Sequence, residues 1–246
     1  MTSVPTVLYP LTHPALLDYI LATQSSSSPT TLIICSHRTV FLDQLAHSLR
    51  DQQATGQTQS TNLQQLLVPT LQNLSTTRHV QLAFCASVQA LLAYLTAFDR
   101  PGYIHVDESE GRERLVLVNP LTLHKPTSSF SAQGLSRTFA LAVETALRTG
   151  ATLQVVECEG GHEERDEEAV EDVAQSDGDE EEGHANIDEP NPWEQQVPIL
   201  NVSARRFGSG PGERAWAGRT IKAKRIAARW FHFQELAGRP PNEEPG

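Results

Sequence analysis

Residues 114–124 read RLVLVNPLTLH, and the class of the whole chain turns on them. The run from 115 to 118 is apolar throughout and of strand length, with no polar alternation, which is the pattern of a strand buried on both faces of a sheet. In a nucleotide-hydrolysing α/β protein, a strand of this kind ends in an Asp that holds magnesium. This chain has Asn119 there, which donates and accepts hydrogen bonds but, being uncharged, is a poor anchor for a magnesium ion. Its simpler role is to cap the strand end, with Pro120 shaping the turn.

Outward from that strand, one unit recurs. TVLYPL (6–11) is a short strand, and HPALLDYILATQ after it is a helix with Pro14 early and Leu16, Leu17, Ile20 and Leu21 at helical spacing. TLIIC (31–35) is a second strand, followed by a helix whose Phe41, Leu42, Leu45 and Leu49 mark one face. A polar loop from Asp51 to about Asn62 leads through LQQLLVPTLQNL into HVQLAFC (79–85), a third strand, and then the amphipathic ASVQALLAYLTAF. After 114–124, Leu135, Phe139, Val143 and Leu147 recur every four residues in a helix that Gly150 stops, and TLQVVE is the next strand. Buried strands separated by helices predict a doubly wound α/β fold, with a mainly parallel sheet covered on both faces.

The net charge of −11 is unevenly spread. Between Glu157 and Glu189 there are 16 acidic residues against one Arg, so the rest of the chain is mildly basic. With few large apolar residues and strong self-repulsion, EGGHEERDEEAVEDVAQSDGDEEEGHANIDEP (159–190) is predicted to be a disordered insert. His162 and His184 sit in it among carboxylates, but a metal site needs a fixed geometry that such a composition does not supply. Beyond it, PILNVSARRF and RTIKAKRIAARWFHFQ are strand-like on either side of GSGPG, predicting an antiparallel hairpin at the sheet edge. The predicted divisions are 1–157 for the core, 158–191 for the insert, 192–236 for the basic hairpin completing the core, and 237–246 for a flexible tail.

Catalytic and cofactor signals are missing where they would be expected. The junction after the first strand, YPLTHP, has two prolines and neither the glycines nor the lysine of a phosphate cradle. SHR follows the second strand without a carboxylate to orient water. There is no GxSxG elbow, no HExxH pair and no CxxC pair, and Cys35 and Cys85 fall in or at the end of apolar strands, so no cofactor and no metal are expected. The three scattered cysteines fit a reducing compartment. No apolar run approaches the roughly 20 residues of a membrane helix, and no signal segment opens the chain.

The most suggestive chemistry is basic. Arg205, Arg206, Arg214, Arg219, Lys222, Lys224, Arg225 and Arg229 fall within 25 residues with Glu213 the only acid, and Trp216, Trp230 and Phe231 lie among them. Such a stretch can track a phosphate backbone while aromatics stack. It can equally be an edge hairpin with solvated charges, or an internal partner for the acidic insert.

Taken in order, the elements resemble the core of RecA-type recombinases and their eukaryotic paralogues, over roughly residues 6–233. TLIICSHRTVFLDQL looks like that family's second strand and helix, RHVQLAFCASVQALLAYL like its third, and RLVLVNPLTLH like its Walker B strand. SRTFALAVETALRTGATLQVVE is similar to the next helix and strand, and PWEQQVPILNVSARRF with ERAWAGRTIKAKRIAARWFHF to the family's ending. YPLTHP, SHR and Asn119 depart from it at the three positions that serve nucleotide hydrolysis, and the acidic insert stands where a recombinase has its second DNA-binding loop. The resemblance therefore implies a non-catalytic, Shu-complex-like RecA-like subunit. Such a subunit would act in a nuclear homologous-recombination complex, binding other RecA-like subunits and, through Arg205, Arg206, Arg219, Lys222, Lys224 and Arg225, DNA. The alternatives are a RecA-like accessory subunit of Elongator, acting in tRNA wobble-uridine modification with a cytoplasmic location, and a pure scaffold without nucleic acid.

Overall fold

A computed structural model of the chain describes residues 4–25, 28–54, 70–99, 112–159, 191–200 and 219–236. The acidic run beyond Glu159, the GSGPG loop with Arg205, Arg206 and Arg214, and the tail from 237 lie outside the described residues. Eight strands are described: β1 (Thr6–Thr12), β2 (Thr30–Ile34), β3 (Val80–Phe84), β4 (Arg114–Val118), β5 (Thr152–Glu159), β6 (Gln196–Pro198), β7 (Thr220–Lys222) and β8 (His232–Glu235). The helices are α1 (His13–Thr23), α2 (Arg38–Ala54), α3 (Leu71–Thr77), α4 (Val88–Ala97), α5 (Pro120–His124), α6 (Ala132–Thr149) and α7 (Ala223–Ala227), with a turn of 3-10 helix at Pro192–Glu194.

Six strands form one sheet in the order β3-β2-β4-β5-β1-β8, and every pairing in it is parallel. The register carries rows of side chains straight across. Ala83, Ile33, Leu117, Val155, Val7 and Phe233 form one row, and Phe84, Ile34, Val118, Val156, Leu8 and Gln234 the next. Because successive residues of a strand face opposite ways, the first row serves one layer of the core and the second row the other. Leu91 and Leu95 of α4, Leu135 and Phe139 of α6 and Ile226 of α7 close over the first face. Leu16 and Ile20 of α1 and Phe41 of α2 close over the second. The continuous apolar runs of β2 and β4 are thus explained by burial from both sides, and the doubly wound α/β expectation is what the chain adopts.

Local signals place the helix ends. Ser87 and Ser131 accept the N–H groups of Ala90 and Gly134, both at 3.1 Å, as N-caps of α4 and α6. Gly150 ends α6 in the left-handed conformation at φ 67°, its N–H returning to the last turn. The four-residue stripe read on α6 drifts, however. At 3.6 residues per turn each four-residue step gains about 40°, so the buried face is Leu135, Phe139, Ala142 and Ala146, and Leu147 is exposed. On α2, Leu42 is likewise turned outward while Phe41 is buried.

Two expectations about the chain's second half need correction. Strand β5 runs on past TLQVVE to Glu159, so Cys158 and Glu159 belong to the sheet rather than to the insert. The stretch RTIKAKRIAARWFHFQ is not one strand of an edge hairpin. It divides into β7, the helix α7 and β8. The hairpin β6-β7 forms its own two-stranded antiparallel sheet, and β8 pairs in parallel with β1 at the edge of the large one. Ala223, Ile226 and Ala227 stand at positions i, i+3 and i+4 and face the core, a helical spacing within a stretch of good helix formers. Among the described residues no helix is long and apolar enough to cross a membrane.

Candidate functional site

In a sheet of this class, ligands bind outside the carboxyl ends of the strands, so the ends of β1, β2, β4 and β5 are the first place to look. There the chain's own side chains fill the space. β1 passes directly into α1, Thr12 being both the last strand residue and the N-cap that accepts the N–H of Ala15 at 3.4 Å. His13 is buried and packs edge-on against Phe41 at 5.6 Å, and Pro14 is buried beside it. Nε2 of His13 lies 3.3 Å from Nδ2 of Asn119, so the imidazole accepts there and carries its proton on Nδ1. Burial lowers its pKa to about 4, which leaves it neutral at physiological pH.

Asn119 holds the end of β4 in the left-handed conformation, φ 58° and ψ 43°, a region Asn enters more readily than most residues. Its Oδ1 accepts the N–H of Cys158 at 2.8 Å, and its own N–H is donated to Val156 O. The amide therefore extends the β4-β5 ladder beyond the strand, which is the strand-capping role read from the sequence. It does not cap α5, whose N-terminus is served by Glu157 instead. That carboxyl accepts the N–H of Leu121 and the hydroxyl of Thr122, the latter at 3.0 Å. Glu157 is 1 % exposed, and burial raises its pKa to about 8 against the opposing pull of those bonds. Burial also pushes the thiols of Cys35 and Cys158 well above their ordinary value, so both stay protonated. Among the described residues no cluster of His, Cys, Asp and Glu is arranged to hold a metal.

Asn119→Ala is expected to destabilise the chain by about 2–4 kcal/mol, from a strained left-handed residue and the unsatisfied N–H of Cys158. Asn119→Gly should recover the backbone part of that loss. Urea midpoints of the three chains measure both effects.

The basic surface is at the other end of the sequence. Of the predicted phosphate contacts, Arg205 and Arg206 lie outside the described residues, while Arg219, Lys222, Lys224 and Arg225 are on or beside β7 and α7. Lys222, Lys224 and Arg225 wall a shallow groove of about 460 Å³ together with Thr220, Gln196 and Glu194. The structure brings these cations together, and it also supplies an acid that the sequence reading missed. Lys222 Nζ donates to Glu194 at 2.6 Å, with Lys224 Nζ at 4.0 Å from the other oxygen. The bond from Lys222, the largest influence, holds the Glu194 carboxyl below its ordinary range. Lys224 also lies 5.4 Å from the ring centroids of both Tyr9 and Phe233, a cation–π position that anchors its stem. Only the presence of an acid two residues past Pro192 hinted at this pairing, because β6 and β7 are distant in sequence.

Fold and strand ends together define a doubly wound α/β protein in which, among the described residues, the ends of β1 and β4 are filled by the chain's own side chains and a cationic surface lies along β7 and α7. Compared with models of protein families, with curated proteins and with solved structures, the chain shows no significant match.

Proposed function

We propose that the chain is a catalytically silent RecA-like subunit of a nuclear complex serving DNA repair by homologous recombination. It acts by binding partner subunits of the same fold and, with them, DNA. The observation that carries this reading is the junction of β1 and α1. Where the resembled family has its phosphate loop, the strand enters the helix without a glycine, and buried His13 and Pro14 fill the turn. A core retained without that loop is suited to assembly rather than turnover.

The opposite edge of the sheet supports assembly too. Among the described residues β3 pairs on one side only, with β2, and its Leu82 faces the α1-α2 layer with 55 % of its surface exposed, while Leu42 of α2 is 47 % exposed. An open edge strand with bare leucines is a surface that a partner would cover. The groove walled by Lys222, Lys224 and Arg225 supports a phosphate contact.

Two measurements test the proposal. The tagged chain should co-purify with recombinase-associated proteins; recovery of Elongator subunits instead would move it to tRNA modification. The reconstituted complex should bind single-stranded DNA with an affinity that falls steeply as salt rises. Each Ala replacement at Lys222 or Arg225 should reduce the log–log salt slope by about 0.7. Absent or salt-insensitive binding would reject the DNA part.

A further inference from the structure

We propose that Cys35 and Cys85 form a two-thiol site that a hydroperoxide converts to a disulfide, and that this bond fixes strand β3 to β2. Both cysteines are free thiols in the structure.

The register of the sheet brings them together across 50 positions of sequence. Ile34 and Phe84 are the last paired residues of β2 and β3, and the N–H of Cys85 continues that ladder by donating to Ile34 O at 2.8 Å. Cys35 therefore stands directly opposite Cys85. Each lies two residues beyond a member of the Ile33–Ala83 pair, so both side chains point to the layer of α4 and α6, where both are buried in one core cluster. Neighbouring strands lie about 4.8 Å apart, inside the roughly 4.4–6.8 Å that the α-carbons of a disulfide span. The remaining adjustment falls to β3. Among the described residues it pairs with β2 alone, and Ala86 and Ser87, just past Cys85, are exposed.

The third cysteine is excluded by the same geometry. Cys158 is buried in the other core cluster, on β5, two strands from Cys35 and on the opposite face of the sheet. The surroundings of the pair also favour a neutral product. Burial, and after it the charges of Glu157 and Cys85, pushes the Cys35 thiol well above its ordinary value, and burial raises Cys85. A pocket that keeps its thiols protonated disfavours the two thiolates that a metal ion would need, whereas a disulfide has no charge to bury.

The reaction balances in two steps. When the end of β3 opens, the Cys85 sulfur attacks one oxygen of the hydroperoxide and the O–O bond breaks. Cys85 becomes a sulfenic acid, and the leaving oxygen departs with the thiol proton as water or an alcohol. The Cys35 sulfur then attacks the Cys85 sulfur, the S–O bond breaks, and the hydroxyl leaves with the Cys35 proton as water. Together the two thiols give two electrons to the peroxide bond.

The test exposes the folded full chain to hydrogen peroxide, then alkylates it in urea and maps its peptides. The expected result is a Cys35–Cys85 link within monomers, with Cys158 alkylated, and full reversal by dithiothreitol. Oxidation in urea is the control. There Cys85 is 50 positions from Cys35 and 73 from Cys158, spacings whose closure odds differ by only about twofold, so the unfolded chain should give mixed pairs. Amide protons of β3 should exchange more slowly in the linked chain, on the order of tenfold. Three alkylated cysteines, links to Cys158 from the folded chain, or a sulfinic acid at Cys85 without a link would overturn the site. Unchanged exchange of β3 in a linked chain would overturn the clamp.

Discussion

At pH 8 the Glu157→Gln chain is expected to be more stable to urea than the parent, by on the order of 3–5 kcal/mol, with the difference gone by about pH 4.5. Glu157 sits at the end of β5 with 1 % exposure, facing the first N–H groups of α5. Its folded pKa is about 8 against an ordinary 4.5, so between those values the folded chain retains a proton that the unfolded chain has released. Stability must then fall as pH rises through that window and level off above it. Gln copies the protonated acid: its carbonyl can accept from Leu121, its amide can donate to the Thr122 oxygen, and it does not titrate. Urea midpoints at pH 5, 6, 7 and 8 measure the effect, and a parent chain as insensitive to pH as the variant would refute it.

His13 works in the opposite sense. With a folded pKa of about 4 against 6.5, it favours the folded chain as pH rises from 4 to 6.5. Where the two windows overlap, from about 4.5 to 6.5, their slopes cancel. The net result for this pair is a plateau in mild acid and a decline from about 6.5 to 8.

Trp193→Ala is expected to cost about 3–5 kcal/mol, the usual range for emptying a buried aromatic site. For a chain of this size that corresponds to a fall in melting temperature of roughly 6–20 °C. Trp193 is 1 % exposed and meets Phe233 of β8 edge-on at 5.4 Å. It joins the turn before β6 to the same core layer as α6 and α7. Trp193→Phe should lose much less, because the indole Nε1 has no hydrogen-bond partner among the described residues and the aromatic contact is retained. Thermal unfolding followed by circular dichroism separates the two variants, and similar melting temperatures for Ala and parent would remove Trp193 from the core's anchors.

The sheet was largely legible in the sequence for a simple reason. TLIIC and LVLV are apolar almost throughout because both faces of β2 and β4 are covered, and the turns between the strands are marked by Ser, Pro and Gly. The rest depended on tertiary context. Glu157 reads only as the last residue of TLQVVE, since nothing local distinguishes a carboxyl that will cap a buried helix from one that will meet water. The five residues of α7 are too few to show a period next to the strand-like WFHF. The pairing of β8 with β1 spans most of the chain, and no local pattern encodes such a partner. At the candidate sites, the lack of a phosphate cradle and the crowding of Lys222, Lys224 and Arg225 could be read directly. The seating of Glu194 on Lys222 could not, because it requires β6 and β7 to be brought together first.

The place of β1 also sets a timetable. Its two neighbours in the sheet are β5, whose residues begin at Thr152, and β8, which ends at Glu235. A ribosome that has just released residues 6–12 has produced a strand with nothing to pair with, and about 140 more residues must follow before its first partner exists. Contacts this distant along the chain slow folding and lengthen the interval in which an apolar strand is bare. During synthesis, then, the oldest strand is among the last to be enclosed, and chaperone dependence should be greatest for nascent chains halted between β4 and β5.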